Sequence, residues 1–418
     1  MKILRFFSLI TCSSLQQATI LNDCLEIGVH YTHDLIDNKG DGLKRSLTFA
    51  LLRAYVQKQK TNDTSGQGPA ARPLLFLFEE TELYLHPKSQ RMLFDTLSDI
   101  SELYQVVVTT HSPIFFAPGI TASFVRVAKK DASPKPLSIL NPVNFKLDQA
   151  SAEVFRLAKF DNAEAAFFSG RVVLFEGESD DAFCRHLSKF FDPLWNFDQK
   201  NVAMVRVLGK GNFSKFRKFF NLFGIEVKLV ADLDALFEGY NHLGAASTTD
   251  LIRDAALKKI DERIAALGEI AEPASRQIID RVNQYTWREK YVSAKAALRT
   301  LQKTQIINEQ ILCSIDELFT WEREIVRVSV CRKDAIAAAA LVPVLDDLRA
   351  QGICILSKGA IEDYYPNGVS SSGPKPERAI VAASLICNAD QAKALSDPLA
   401  TGRAPKLLEV FQELFRDL

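Results

Sequence analysis

No Cys-x-x-Cys pair occurs in this chain, and its seven cysteines are scattered and odd in number. That pattern excludes a zinc knuckle or a disulfide frame and reads as reduced thiols in a cytoplasmic protein. Neither charge sign is in excess, since 51 Lys and Arg face 51 Asp and Glu. Bulk charge therefore does not advertise nucleic acid, and any such surface must be a local patch. Apolar runs long enough to span a bilayer are missing, so no membrane partner is expected. The stretch Met1 to Cys12 superficially resembles a leader peptide. Its apolar core is short and no small-residue cleavage site follows, so it is expected to form a strand. Finally, no Gly-x-x-x-x-Gly-Lys-Ser/Thr string exists; Gly209-Lys-Gly211 and Gly373-Pro-Lys375 come nearest and lack the frame. Without that loop nothing in the sequence cradles β- and γ-phosphates, so ATP hydrolysis by this chain alone is not expected.

What is present points to a different chemistry. The 418 residues are 47% apolar and 24% charged, enough for two or three domains with their own cores. Val172-Val-Leu-Phe-Glu-Gly-Glu-Ser-Asp180 and Leu229-Val-Ala-Asp-Leu-Asp234 are apolar runs that end in carboxylates. Such runs read as buried parallel strands, and open α/β sheets hold ligands at the carboxyl ends of their strands. Glu176, Asp180, Asp232 and Asp234 are then expected to meet. Four carboxylates repel one another unless hard cations neutralise them, which predicts a two-metal Mg²⁺ or Mn²⁺ site and phosphoryl chemistry. The adjacent Glu178 and Asp181 are expected to substitute for these acids or to orient them.

These two segments resemble a TOPRIM domain, the module of topoisomerases, primases and some nucleases. Val207-Leu-Gly-Lys-Gly-Asn-Phe213 lies between them and resembles a Gly-Lys element of nucleases of the OLD (overcoming lysogenization defect) family. Upstream, Leu74-Leu-Phe-Leu-Phe-Glu-Glu80 continues through Thr81 to Pro87 and on to Val108-Thr-Thr-His-Ser-Pro113. That combination resembles the second half of an ABC-type ATPase head. A head followed by TOPRIM is the OLD order, and the resemblance covers roughly residues 35 to 370. It implies an α/β architecture: a partial ABC-ATPase-like sheet domain over 1–150, then TOPRIM over 165–245 and 346–370. A helical insertion at 246–345 interrupts the TOPRIM fold, and helices follow at 371–418.

In the first half, the resemblance aligns Glu79 and Glu80 with a Walker B end and His111 with a switch histidine sensing the γ-phosphate. Asn38 to Arg45, with Gly40 and Gly42, looks like a degenerate signature motif ahead of a helix expected near Ser46. Singly these are weak signals, because a Glu-Glu pair is often solvated and a lone histidine usually packs or caps. ATP would be bound only with a phosphate loop supplied from elsewhere.

In the second half, apolar residues at helical spacing over 249–267, 274–306 and 334–349 predict the insertion, chiefly as packing surface. The strand Gly352 to Leu356 then leads to Ser357-Lys-Gly-Ala-Ile-Glu-Asp-Tyr-Tyr365. Its OLD counterpart implies that Lys358 neutralises charge on a scissile phosphate and that Glu362 or Asp363 completes the metal site. The alternative is an exposed lysine and an acidic first helical turn, which the helix dipole favours in any case. Glu176 is the leading catalytic candidate. Lys210, Lys215, Arg217 and Lys218 form the basic run offered for DNA contact, although such runs are as often solvated faces.

The implied activity is Mg²⁺- or Mn²⁺-dependent endonucleolytic hydrolysis of DNA, with anti-phage defence as the associated role. The resemblance further implies a homo-oligomer or a partner chain completing the head. The competing expectation is an ATPase-like regulatory or DNA-binding subunit with an idle nuclease site. A topoisomerase would need a tyrosine nucleophile on a DNA-gate domain. Tyr364 and Tyr365 are instead expected to pack at the strand end.

Overall fold

The computed structural model describes residues 40–65, 74–112, 115, 123–130, 135, 137–144, 163–273, 275–395 and 406–418. The strand expected over Met1 to Cys12 lies outside them. The chain divides into two compact units between Thr121 and Ala122.

In the first unit, helix α1 (Asp41–Ser65) precedes strand β1 (Leu75–Glu79), helix α2 (Pro87–Ser101) and strand β2 (Gln105–Thr109). Helix α1 begins at Asp41 rather than near Ser46, so Gly40 and Gly42 sit at its start. A proline at the first position of α2 suits an N–H that would have no partner there anyway. The preceding His86 side chain accepts from the Lys88 N–H at 3.3 Å. Strands β1 and β2 pair in parallel, Leu75 opposite Gln105 and Glu79 opposite Thr109.

The five-residue apolar run of β1 predicts a core strand, and that expectation is corrected. Phe76 and Phe78 pack inward with Val106 and Val108 of β2, against Leu93 and Leu97 of α2 and Phe49 and Val56 of α1. Leu75 and Leu77 lie on the opposite face and are 57% and 69% exposed, beside exposed Val107. Among the described residues this sheet has two strands, and residues of β1 alternate between its two faces.

The second unit opens with an antiparallel hairpin, β3 (Ser123–Lys130) and β4 (Leu137–Asn144). The Arg126 guanidinium donates to the carbonyls of Phe167, Ser169, Phe223 and Gly224. These bonds tie the hairpin to the body of the second unit, so the first domain ends near Thr121 and not at 150. A four-stranded sheet comes next, in the order β6-β5-β7-β8, built from β5 (Arg171–Phe175), β6 (Val202–Arg206), β7 (Glu226–Ala231) and β8 (Ile353–Ile355). Every pairing in it is parallel, which brings all four carboxyl ends to one edge.

Helix α3 (Glu178–Phe191) follows β5, and α4 (Phe213–Leu222) follows β6. Between β7 and β8 come α5 (Ser247–Leu267), α6 (Ser275–Val282), α7 (Tyr285–Thr304), α8 (Glu309–Lys333) and α9 (Ala335–Ala350). These five form the expected insertion, with 274–306 resolved into α6 and α7. After β8 come α10 (Lys375–Ser384), α11 (Ala389–Ala394) and α12 (Lys406–Leu414). Residues of β5 are buried throughout, as are those of β7 after Glu226, as strands covered on both faces require. Val173, Val230 and Cys354 share one core with Phe183 and Leu187 of α3, Ala382 of α10 and Phe411 of α12. Helix α4 buries Phe213, Phe216, Phe219 and Phe220 and packs against β5 and β7. Among the described residues no helix is long and apolar enough to cross a membrane.

Two strand cations anchor the C-terminus. The Lys228 ammonium donates to the Glu413 backbone carbonyl at 2.7 Å and to its carboxylate at 2.8 Å. Buried Arg171 donates to Glu226 and to the Leu414 and Arg416 carbonyls. The helices after β8 are therefore part of the core that contains the four-stranded sheet.

Candidate active site

Strand β5 ends at Phe175 and delivers Glu176; strand β7, its neighbour, ends at Ala231 and delivers Asp232. One turn further, Asp180 lies in the first turn of α3 and accepts the Gly177 N–H at 3.0 Å, an N-terminal placement that suits an acid. Asp234 lies in the short 3₁₀ turn Leu233–Leu236, and Glu362 in the turn Ile361–Tyr364 beyond β8. A bond from the Leu233 N–H to the Gly359 carbonyl at 2.9 Å laces the β7 and β8 ends together.

The electrostatics show that the acids converge. Burial, then the charges of Asp180, Asp234, Glu176 and Glu362, push the Asp232 carboxyl up to about 8. Burial raises Asp180 to about 6, helped by Glu362 and Glu176 and opposed by the Gly177 bond and Lys375. Glu176 is raised mainly by burial, against the attraction of Lys210. Carboxyls raised first by burial and then by one another's charge fit a hard divalent cation. Asp234 Oδ1 is also buried with no hydrogen-bond partner among the described residues. The donor set therefore suits Mg²⁺ or Mn²⁺. No group of three or more His, Cys, Asp or Glu side chains among the described residues is yet arranged to hold a metal ion. Glu176 and Asp232 share one edge of the sheet, at the ends of the paired strands β5 and β7.

Several expected partners are placed elsewhere. Lys358 turns its ammonium to the Leu395 carbonyl at 2.6 Å and lies over the Tyr364 ring. The lysines whose charges bear on the acids are Lys210, 2.7 Å from Asp234, and Lys375, 2.8 Å from Glu362. Lys375 had no signal beyond its place in the failed Gly373-Pro-Lys375 string. The Arg217 guanidinium donates to the carbonyls of Gly244 and Gln351. Lys215 and Lys218 are exposed on α4. Asp181 pairs with Arg185 at 2.6 Å, and the Glu178 side chain lies outside the described residues. Asp363 accepts the Ala360 N–H at 2.8 Å and pairs with Arg332, closing the turn from which Glu362 projects. Tyr364 is buried and its hydroxyl accepts the Lys358 N–H at 3.0 Å, as a packing residue would.

The insertion supplies one wall of a cleft of about 790 Å³ that opens beside Asp234. Arg281, Trp321, Glu324, Arg332 and Lys333 line it. Its lining carries charges of both signs.

In the first unit, Glu79 is exposed at the end of β1, and Glu80 stands 3.4 Å from His111 Nε2. Glu80 has a φ of 42° and its carbonyl accepts from Arg45 at 2.8 Å. Gly42 is required sterically, since a Cβ there would lie 2.7 Å from the Tyr84 carbonyl oxygen, whereas Gly40 faces open space. Sequence reasoning missed Glu82. This buried acid accepts from the Thr110 hydroxyl at 2.5 Å and from the His111 N–H at 2.8 Å, fixing the loop that carries His111.

Comparison with known proteins agrees with this geometry. Residues 167–234 match the model of the TOPRIM domain of overcoming lysogenization defect protein-like sequences, and residues 26–116 match an AAA ATPase domain. The Old nuclease of Escherichia phage P2 is 27% identical over 203 residues, 48% of this chain and 34% of that protein. The aligned region thus spans about a third of that relative's length. The TOPRIM match contains Glu176, Asp180, Asp232 and Asp234. The chain is an α/β protein in which a segment matching an AAA ATPase domain precedes one matching an OLD-like TOPRIM domain.

Proposed function

We propose that the acidic edge of the four-stranded sheet is the site of a metal-dependent endonuclease that hydrolyses phosphodiester bonds in DNA. The supporting observation is Asp232, a half-buried carboxyl at the end of β7 under the simultaneous charge of Asp180, Asp234, Glu176 and Glu362. When bound, Mg²⁺ or Mn²⁺ supplies charge neutralisation and an activated water. Glu176, Asp180, Asp232, Asp234 and Glu362 are the oxygen donors for those cations. Glu176, delivered at the end of β5, is placed to take the proton of the attacking water. Lys210 and Lys375 are placed to counter charge on a phosphate entering between them. Lys358, engaged with Leu395, takes a supporting position at the β8 end.

Asp232→Asn and Glu176→Gln are each expected to lower nicking of supercoiled plasmid in Mg²⁺ or Mn²⁺ by at least about a hundredfold. Undiminished nicking in both variants overturns the assignment.

A second reading is supported by the ion pairs that engage two of the acids, Asp234 with Lys210 and Glu362 with Lys375. In that reading the chain is a regulatory or DNA-binding subunit with an idle nuclease site. Binding of plasmid without cutting in either metal would establish it. With no phosphate-loop string in its sequence, the ATPase segment is expected to turn over ATP only if that loop comes from another segment or chain. The OLD resemblance extends the proposal to self-association or a partner chain at the ATPase half, and to anti-phage defence in the cytoplasm.

A further inference from the structure

Two ammonium groups flank the acids from opposite sides. Lys210, from the β6–α4 connection, places Nζ 2.7 Å from Asp234 Oδ2, with Glu238 and Glu176 also within its field. Its stem is held close, because a Cβ on Gly239 would lie 3.3 Å from Lys210 Cδ. Lys375, at the start of α10, places Nζ 2.8 Å from Glu362 Oε1 and also faces Asp232 and Asp180. Its side chain is 68% exposed, so it can leave without disturbing the core. Each lysine is thus bonded to a different one of the proposed cation donors. Together they account for two positive charges where a pair of divalent ions would bring four.

We infer that Lys210 and Lys375 are tethered placeholders, which occupy the acid edge when no cation is bound and are released from Asp234 and Glu362 on cation loading. This inference rests on the proposed metal site. An ammonium and a divalent cation compete for the same carboxylate oxygens, and the smaller, doubly charged ion wins at close range. The freed ammonium groups, still anchored by their chains, then face outward beside the loaded edge. A phosphate diester carries the charge they have lost, so cation loading and phosphate grip become coupled. In the empty state the same pairs keep the like charges from driving the edge apart.

The test uses the full chain with Mn²⁺ alone and no nucleic acid. The acylation rate of individual lysines, read by mass spectrometry, is expected to rise at Lys210 and Lys375 when Mn²⁺ is added. The rate at Lys218, exposed on α4, is expected to stay constant. By calorimetry, Lys210→Met and Lys375→Met should each tighten Mn²⁺ binding by about two- to five-fold, the scale of one partly exposed ion pair. Lys210→Arg and Lys375→Arg should return it toward the wild-type value. If Mn²⁺ binds while both lysines keep or lose reactivity, the placeholder role is overturned and the metal site stands. Weaker Mn²⁺ binding in both Met variants overturns it equally. Absence of Mn²⁺ binding in the wild type and both Met variants overturns site and placeholder together. The reactivity measurement needs no variant, so a misfolded substitution does not remove the test.

Discussion

Lys228 reaches from the middle of a buried strand to Glu413, 2.8 Å away on the last helix, and both side chains are almost fully enclosed. Removing one partner strands a charge in a low-dielectric interior, which is far costlier than losing an exposed ion pair. Glu413→Ala is expected to lower unfolding free energy by about 3–5 kcal/mol. The pair Lys228→Met with Glu413→Leu should recover most of that loss. Urea unfolding of the three variants checks the expectation, and a single-variant loss under about 1 kcal/mol contradicts it.

The acidic edge makes the cation-free protein sensitive to pH. Asp232 has an ordinary carboxyl value of 3.8 when unfolded and about 8 when folded, so the folded state binds the extra proton between those values. Its contribution to stability is complete below about pH 4 and is lost as pH rises through about 8. Asp180, raised to about 6, adds a loss in the same direction at lower pH. Stability in chelator should therefore fall between pH 6 and 8 by at most about 1.4 kcal/mol per unit for each proton. Asp232→Asn should flatten that part of the curve. Equal slopes in wild type and variant would refute the assignment.

Gly359 is held at a φ of 136°, and a Cβ there would collide with the Asp363 carboxylate and crowd the Arg332 guanidinium at 3.3 Å. Its carbonyl also receives the Leu233 N–H. Gly359→Ala should cost about 1–3 kcal/mol in thermal unfolding. Because the strain falls on the turn that carries Glu362, Mn²⁺ affinity should drop in the same variant. Wild-type melting and affinity would show that this turn tolerates a side chain.

In the ATPase segment, Glu82→Ala removes the acceptor for both the Thr110 hydroxyl and the His111 amide. Amide exchange at His111 is expected to accelerate by about tenfold or more, the effect of losing a charged hydrogen bond. Unchanged protection would mean that β2 alone holds the loop.

The acids at the strand ends were legible because an all-apolar strand followed by carboxylates combines two signals, burial and charge, at one boundary. Glu176 and Asp232 needed only adjacent strands to meet, and β5 and β7 are adjacent. The basic partners were less legible. Lys358 sits immediately after a strand, as a catalytic residue might, yet its long stem turns to Leu395. Lys375 reaches the site only because α10 packs against α3, a contact that no local pattern encodes. A charge inside an apolar strand was a usable clue, since Lys228 in Glu226-Val-Lys-Leu-Val230 demands a buried partner. The partner itself lies near the other end of the chain. Strand β1 misled because an apolar run reports what a strand can bury, and among the described residues those of β1 alternate between the two faces of its sheet.

The five helices between β7 and β8 also govern how this molecule is made. Glu176, Asp180, Asp232 and Asp234 leave the ribosome early, while Glu362 and the strand that precedes it emerge only after the whole insertion. Closing so long a loop before local structure forms is entropically unfavourable, whereas pairing of α5 with α9 shortens it. Pairing of α5 with α9 thus brings the end of the insertion back beside its start, so that β8 and the turn carrying Glu362 can join the sheet.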